Sequence, residues 1–216
     1  MGCFIVAEAG INHMGSWTAM LLLCDAAKQA GADAVKFQAY DTDALIARRG
    51  SGDRELLKKC ELSDDDLEHI SEYCKLIGIK WFASVFDPSQ VARVLRYGAC
   101  ALKIGHKECG WEELVNTCSR EWRRGPLFIS GVDICGTWEY PATSPPCLLQ
   151  IDRRDVIGFS SHYADWRIPA AAALRGAHYI EAHLKLSDSD PEAAWSLSVE
   201  DFTKMVKQIR EYETWL

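Results

Sequence analysis

The sequence predicts an α/β fold: a compact (β/α)8-type TIM barrel, with the unit after its fifth strand shortened or missing. Three observations carry that expectation. Short apolar runs alternate with stretches of helical length and amphipathic pattern, as in a parallel sheet with right-handed crossovers. Roughly seven to eight strands fit into 216 residues, near the lower limit for such a barrel. Polar and charged residues gather where the apolar runs end, the end of a parallel sheet at which ligands bind. A doubly wound open sheet is the alternative. No GxGxxG turn follows the first strand, which counts against a dinucleotide site.

Taken in order, Cys3 to Ala9 is the first strand, carrying Glu8 near its end, and the loop AGINHMGS follows. Ser16 caps a helix from Trp17 to Gln29, and Gly31 stops it. Ala34 to Ala39 is the second strand, with Lys36 and Gln38 on one face by two-residue alternation. Asp41 to Cys60 is polar and contains glycine, reading as a loop with a short helix. Ser63 opens the next helix, where Asp64, Asp65 and Asp66 suit the positive end of the helix dipole. Lys80 to Phe86 is the third strand, and a helix runs from Asp87-Pro88 to Tyr97. Ala101 to Gly105 is the fourth strand and ends in His106, Lys107 and Glu108. Trp111 to Arg123 is helical, and Pro126 to Val132 is the fifth strand.

There the rhythm breaks. DICGTWEYPATSPPCLLQIDRRD is too short and too rich in proline for a further helix and strand. Val156 to Phe159 then forms a strand that opens into Ser160, Ser161 and His162. Asp165 is the expected N-cap of an alanine-rich helix, with Pro169 in its first turn and Gly176 at its end. Tyr179 to Leu186 is the last strand, with Glu181 and His183 on one face, and Ser198 to Trp215 is the closing helix.

Composition narrows the class. A net charge of −7 with no basic tract argues against a nucleic-acid surface. Nine scattered cysteines without a CxxC pair fit reduced thiols rather than a disulfide framework or a zinc–thiolate site. No basic segment precedes the first strand and no apolar run reaches membrane-spanning length, so a soluble cytoplasmic domain spanning residues 1–216 is expected.

The strand ends define the chemistry. Two adjacent strands each deliver an imidazole, His162 and His183, a plausible pair of metal ligands that leaves positions open for water and substrate. Without thiolates, Mn²⁺ or Mg²⁺ is the expected cation. Glu8, Asn12, Lys36, Gln38, Ser84, Lys103, His106, Glu108 and Ser160 lie at the same end. An apolar barrel has no structural use for two lysines and two glutamates there, because unpaired buried charge costs several kcal/mol. Ion pairs Lys36–Glu8 and Lys103–Glu108, closing a barrel that binds nothing, are the bland alternative. Otherwise two lysines and a divalent cation make a pocket for a small phosphorylated or carboxylated anion, with glutamates for acid/base work.

The chain resembles the N-acetylneuraminate (sialic acid) synthase family, which condenses phosphoenolpyruvate with an amino-sugar aldehyde. FIVAEAGINHMGS, GADAVKFQAY, FASVFD, LKIGHKE, PLFISGV, EYP, IGFSSH, GAHYIEAHL and SLSVEDF carry the resemblance, in the family's order and over nearly the whole length. It implies His162 and His183 as metal ligands. Lys36 and Lys103 would meet the carboxylate and phosphate of phosphoenolpyruvate, with Ser84 and Ser160 as phosphate hydroxyls. Glu8 would serve the sugar side and Glu108 the acid/base step, with Asn12, Gln38, His106 and Glu192 at the substrates and a homodimer as the assembly. The departures are local. The family's SGE is His106-Lys107-Glu108 here, SDH is Ser160-Ser161-His162, and GPD is Asp190-Pro191-Glu192. The polar residue before the family's YP turn aligns near Trp138-Glu139, and the helix after strand five and most of strand six are missing. The family's C-terminal antifreeze-like domain has no counterpart in these residues. A trimmed condensing enzyme, a binding or regulatory barrel, and another metal-assisted aldolase or lyase all remain open, and an irregular segment at Trp138 to Pro146 is the expected wall closure and dimer contact.

Overall fold

Eight parallel strands order the molecule. A computed structural model describes residues 2–123, 125–136, 139–143, 148, 151 and 156–215. The strands are β1 (Phe4–Gly10), β2 (Ala34–Ala39), β3 (Lys80–Val85), β4 (Leu102–Ile104), β5 (Leu127–Ile129), β6 (Ile134–Gly136), β7 (Gly158–Ser161) and β8 (Tyr179–His183). They run in the order β5-β4-β3-β2-β1-β8-β7-β6. Because β1 lies between β2 and β8, the sheet rolls up, and its two ends meet at one parallel bridge, Ser130 to Ile134. The result is a nearly closed barrel, not an open doubly wound sheet.

The strands are buried on both faces, as they must be between a packed interior and a layer of helices. Phe82, Phe128 and Tyr179 come from β3, β5 and β8. Phe128 lies with its ring centre 6.2 Å from Phe82 and 4.5 Å from Tyr179, contacts possible only across the interior. These rings form an apolar floor, and the Tyr179 hydroxyl donates upward to Glu181 Oε2 at 2.5 Å.

Outside the sheet lie α1 (Trp17–Gln29), α2 (Thr42–Arg49), α3 (Arg54–Cys60), α4 (Asp64–Ile77), α5 (Ser89–Arg96), α6 (Glu112–Glu121), α7 (Arg167–Leu174) and α8 (Val199–Tyr212). Local sequence fixes several of their starts. Ser16 and Ser198 cap α1 and α8, and Ser63 and Asp66 exchange bonds in a full capping box on α4. The excursion after β2 holds two helices rather than one, each begun by an aspartate, Asp41 or Asp53, that accepts a first-turn N–H. Asp165 is not the residue adjoining α7. Trp166 is, while Asp165 accepts from the Arg167 N–H and pairs with its guanidinium one step earlier. The eight described cysteines are all free thiols.

The junction of β5 and β6 corrects the sequence reading in one respect. The helix expected to be missing is indeed absent between them, but a sixth strand is present and pairs with β7 from Ile134↔Gly158 to Gly136↔Ser160. It is three residues long, and residues 130–133 suffice to reach it. Parallel neighbours normally need a long crossover. Here β6 begins at the level where β5 ends, so the chain steps sideways instead of returning to the bottom of the barrel. Asp133 makes that step possible. Its Oδ1 takes the Ile129 N–H at 2.6 Å, and its carbonyl takes the Ile157 N–H at 2.8 Å. Residues 138 and 144–146 of the expected closing segment lie outside the described residues.

Candidate active site

Register sets the site. Glu8 on β1 is opposite Lys36 on β2 and His183 on β8, Ser84 on β3 is opposite Lys103 on β4, and Ser160 on β7 is opposite Glu181 on β8. All point into one cavity of about 360 Å³ at the C-terminal ends of the strands, within the range for a small-molecule pocket. The cavity also receives Gln38, His106, Glu108, His162 and Glu192. Of the expected substrate residues only Asn12 stays out. Its Nδ2 donates to the Leu184 carbonyl at 2.8 Å and to Ser196 Oγ at 3.2 Å, and its Oδ1 accepts the Glu192 N–H at 2.8 Å. Asn12 therefore straps the Glu192 loop to the barrel.

At the bottom of the cavity two lysines meet two carboxylates, all nearly fully buried. Lys36 Nζ lies 2.5 Å from Glu8 Oε2, 2.6 Å from Ser84 Oγ and 3.7 Å from Glu181 Oε2. Lys103 Nζ lies 2.5 Å from Glu181 Oε1 and 3.3 Å from Ser160 Oγ. The Lys36–Glu8 pair was foreseen as an alternative; the partner of Lys103 is Glu181, not Glu108. Burial raises the pKa of Glu8 against the pull of Lys36. Burial would raise Glu181 too, but Lys103 and Lys36 together hold its carboxyl below the usual range. For Lys103 burial prevails over Glu181 and lowers the pKa, whereas for Lys36 the two carboxylates prevail and raise it.

On the opposite wall the rings of His162 and His183 stand 5.3 Å apart. His183 Nδ1 is 3.0 Å from Glu192 Oε2, so Nε2 remains to bind a ligand, the usual arrangement of a carboxylate behind a metal-bound imidazole. Gly10 makes room for it. A Cβ there would lie 1.8 Å from Glu192 Oε2, and its φ of +52° favours glycine in any case. Among the described residues no group of three or more His, Cys, Asp or Glu is arranged to hold a metal. The two imidazoles, with water or substrate in the remaining positions, would be the donors available to a divalent ion.

The mouth holds residues the sequence reading passed over: Arg49, Tyr140, Trp195 and Ser130. Tyr140 packs on His162 with ring centres 4.0 Å apart and on Trp195 at 5.6 Å. Glu108 is buried by Arg48 and Arg49, whose guanidiniums both bond its Oε1. Arg49 belongs to the excursion after β2, and no periodicity ties it to a glutamate 59 positions away.

The family model for the NeuB family matches residues 23–132 and 148–216. The chain belongs to the NeuB family. The interval between the two matched stretches, residues 133–147, begins at Asp133 and contains β6. The N,N'-diacetyllegionaminic acid synthase of Legionella pneumophila is 29% identical over 99% of this chain and 73% of its own. The pseudaminic acid synthase of Campylobacter jejuni is 27% identical over 98% of this chain and 74% of its own. The crystal structure of the sialic acid synthetase of Leptospira borgpetersenii superposes with a TM-score of 0.84 at 22% identity, over 99% of this chain and 85% of that one. This NeuB chain is thus a sialic acid synthase-like condensing enzyme built on a shortened barrel. No helix among its described residues is long and apolar enough to cross a membrane.

Proposed function

We propose that the protein condenses phosphoenolpyruvate with an aldose or amino-sugar aldehyde, giving a 2-keto sugar acid and inorganic phosphate. The observation that carries this reading is the buried quartet Lys36–Glu8 and Lys103–Glu181, sharing one cavity with the His162–His183 pair. The lysines, with Ser84 and Ser160, bind the carboxylate and phosphate of phosphoenolpyruvate by charge-assisted hydrogen bonds. His162 and His183 would hold a divalent ion, Mn²⁺ or Mg²⁺, which when bound supplies Lewis acidity toward the aldehyde oxygen. Gln38, whose Nε2 donates to Glu8 Oε1 at 3.2 Å, fixes that carboxyl at the sugar side.

In the condensation the enol carbon bonds to the aldehyde carbon, whose oxygen takes up a proton. Water then adds to the carbon bearing the phosphate, that C–O bond breaks, and phosphate leaves. Glu8 holds its proton more tightly than an exposed carboxyl because it is buried, so it is the group suited to pass that proton. Glu108 was expected to do acid/base work. With Oε1 under two guanidiniums and Oε2 buried without a donor, it fixes the place of the two arginines instead. His106 lines the cavity beside it, and burial lowers its pKa.

A second reading, a barrel that holds an anion without turning it over, is favoured by the carboxylate already 2.5 Å from each lysine. One experiment separates the two. Phosphoenolpyruvate, Mn²⁺ and a panel of aldoses are incubated with the protein, and phosphate release is followed together with formation of the keto acid. Release that depends on an aldose supports condensation. Phosphoenolpyruvate binding by calorimetry without release supports the second reading, and neither binding nor release overturns both.

A further inference from the structure

Glu181 draws on four donors, and they differ in what else they can reach. Its Oε1 accepts from Lys103 Nζ at 2.5 Å and from Ser160 Oγ at 2.9 Å. Its Oε2 accepts from the Tyr179 hydroxyl at 2.5 Å, with Lys36 Nζ at 3.7 Å. Lys103, Ser160 and Lys36 line the cavity, whereas Tyr179 does not. Three of the four are thus open to a ligand, and one serves Glu181 alone.

An anion in the cavity competes for the shared donors. Ser160 has a single proton to give, and it goes to Glu181 Oε1. Turning it to a phosphate or carboxylate oxygen takes it from Glu181. Lys103, once divided between an anion and Glu181, holds the carboxylate less firmly. A buried carboxylate stripped of donors is exposed to its full desolvation penalty.

The Tyr179 hydroxyl escapes that competition because of where its ring lies. The side chain is buried, with its ring centre 4.5 Å from that of Phe128 and 6.4 Å from that of Phe4. Gly158, its register partner on β7, gives the strand room. A Cβ there would lie 2.7 Å from Tyr179 Cβ, the kind of close approach that a glycine within a strand marks.

We propose that Tyr179 is a positioning residue of the anion site, whose hydroxyl holds Glu181 at the floor while Lys103 and Ser160 turn to an incoming phosphate or carboxylate. This rests on the anion binding in the function proposed above, and not on turnover. Tyr179 itself touches no ligand. It matters least while the cavity is empty and Glu181 has its other donors, and most when an anion has drawn them away.

Tyr179→Phe removes the hydroxyl and keeps the ring. Calorimetry with phosphoenolpyruvate on the full chain reads anion affinity, and urea unfolding without ligand reads the empty fold. Affinity is expected to fall about tenfold, the effect of one hydrogen bond to a charged group. In a Glu181→Gln background no carboxylate remains to be held, and the same change should move affinity less than about threefold. Should Glu181→Gln not fold, the urea midpoint decides. A tenfold loss of affinity with a ligand-free midpoint within about 0.5 M of the parent supports the positioning role, and a loss matched by a larger fall in the midpoint overturns it. Affinity unmoved by Tyr179→Phe, or a tenfold loss that persists beside Glu181→Gln, would also overturn it. No binding of phosphoenolpyruvate to the parent at millimolar concentration would overturn it together with the reading beneath it. Weakened binding by Tyr179→Phe, in a protein that releases no phosphate with any aldose, would retain the positioning role and discard condensation.

Discussion

Replacing Lys103 by methionine should destabilise the fold before it affects any ligand. The side chain is 5% exposed and its Nζ lies 2.5 Å from Glu181 Oε1, itself on a side chain 2% exposed. Methionine fills the space of the stem but leaves Glu181 without its nearest cation. Breaking one side of a buried pair typically costs about 3–5 kcal/mol. Three groups soften the loss here: Lys36 at 3.7 Å, the Tyr179 hydroxyl and the Ser160 hydroxyl. The lower end, about 3 kcal/mol, is therefore expected, and with a urea m-value of about 2 kcal/mol/M the midpoint should fall by roughly 1.5 M. Adding Glu181→Leu removes the stranded charge, so the double variant should regain more than half of the loss, a coupling of about 1.5–3 kcal/mol. Urea unfolding followed by circular dichroism, on all four members of the cycle, gives the answer. If Lys103→Met lies within about 1 kcal/mol of the parent, or Glu181→Leu fails to rescue it, the floor of the cavity is not held by this pair.

Two further outcomes follow from buried imidazoles. His13 is fully buried, its Nδ1 accepts the Gly15 N–H at 3.1 Å, and burial lowers its pKa to about 4 despite Asp66 and Glu192 nearby. Below about pH 6.5 the unfolded chain binds a proton that the folded chain refuses. Stability from this group is thus complete above pH 6.5 and declines by about 1.4 kcal/mol per unit toward pH 4; urea midpoints from pH 7 to 4.5 should show a slope that His13→Gln flattens, and an unchanged slope would dismiss the assignment. Glu192→Ala should weaken Mn²⁺ binding about 10- to 100-fold by freeing the ring of His183 to turn, measured by calorimetry, whereas His162→Ala with His183→Ala should abolish it; metal uptake indifferent to all three would remove the ion from the site.

What could be read from the sequence was local or periodic. The Ser63–Asp66 capping box, the Trp17–Gln29 helix and the Ala34–Ala39 strand each depend on residues within a few positions of one another. So does the placing of Lys36, Lys103, His162 and His183, since alternation along a strand decides which side chains face inward. The partners of those side chains were not legible. Glu181 stands on the same face as His183, yet nothing along the chain assigns it to Lys103, 78 residues earlier. Arg48 and Arg49 end a helix in a stretch that reads only as a polar loop with one short helix of unassigned place, and their target is set by how α2 lies across the barrel mouth. Asn12 was legible as a polar residue beside the site, but its bonds to the Leu184 carbonyl and the Glu192 N–H, more than 170 residues away, were not.

The carboxylate of Asp133 occupies a place where a neighbouring strand would have offered a carbonyl to Ile129, and its own carbonyl hands the chain on to β7. A single side chain thus works as a rivet between two staves. Closure of this barrel is then a matter of supplying hydrogen-bond acceptors at a gap, not of counting crossovers. A stretch long enough for a helix can be dispensed with wherever one well-placed acid can hold the hoop.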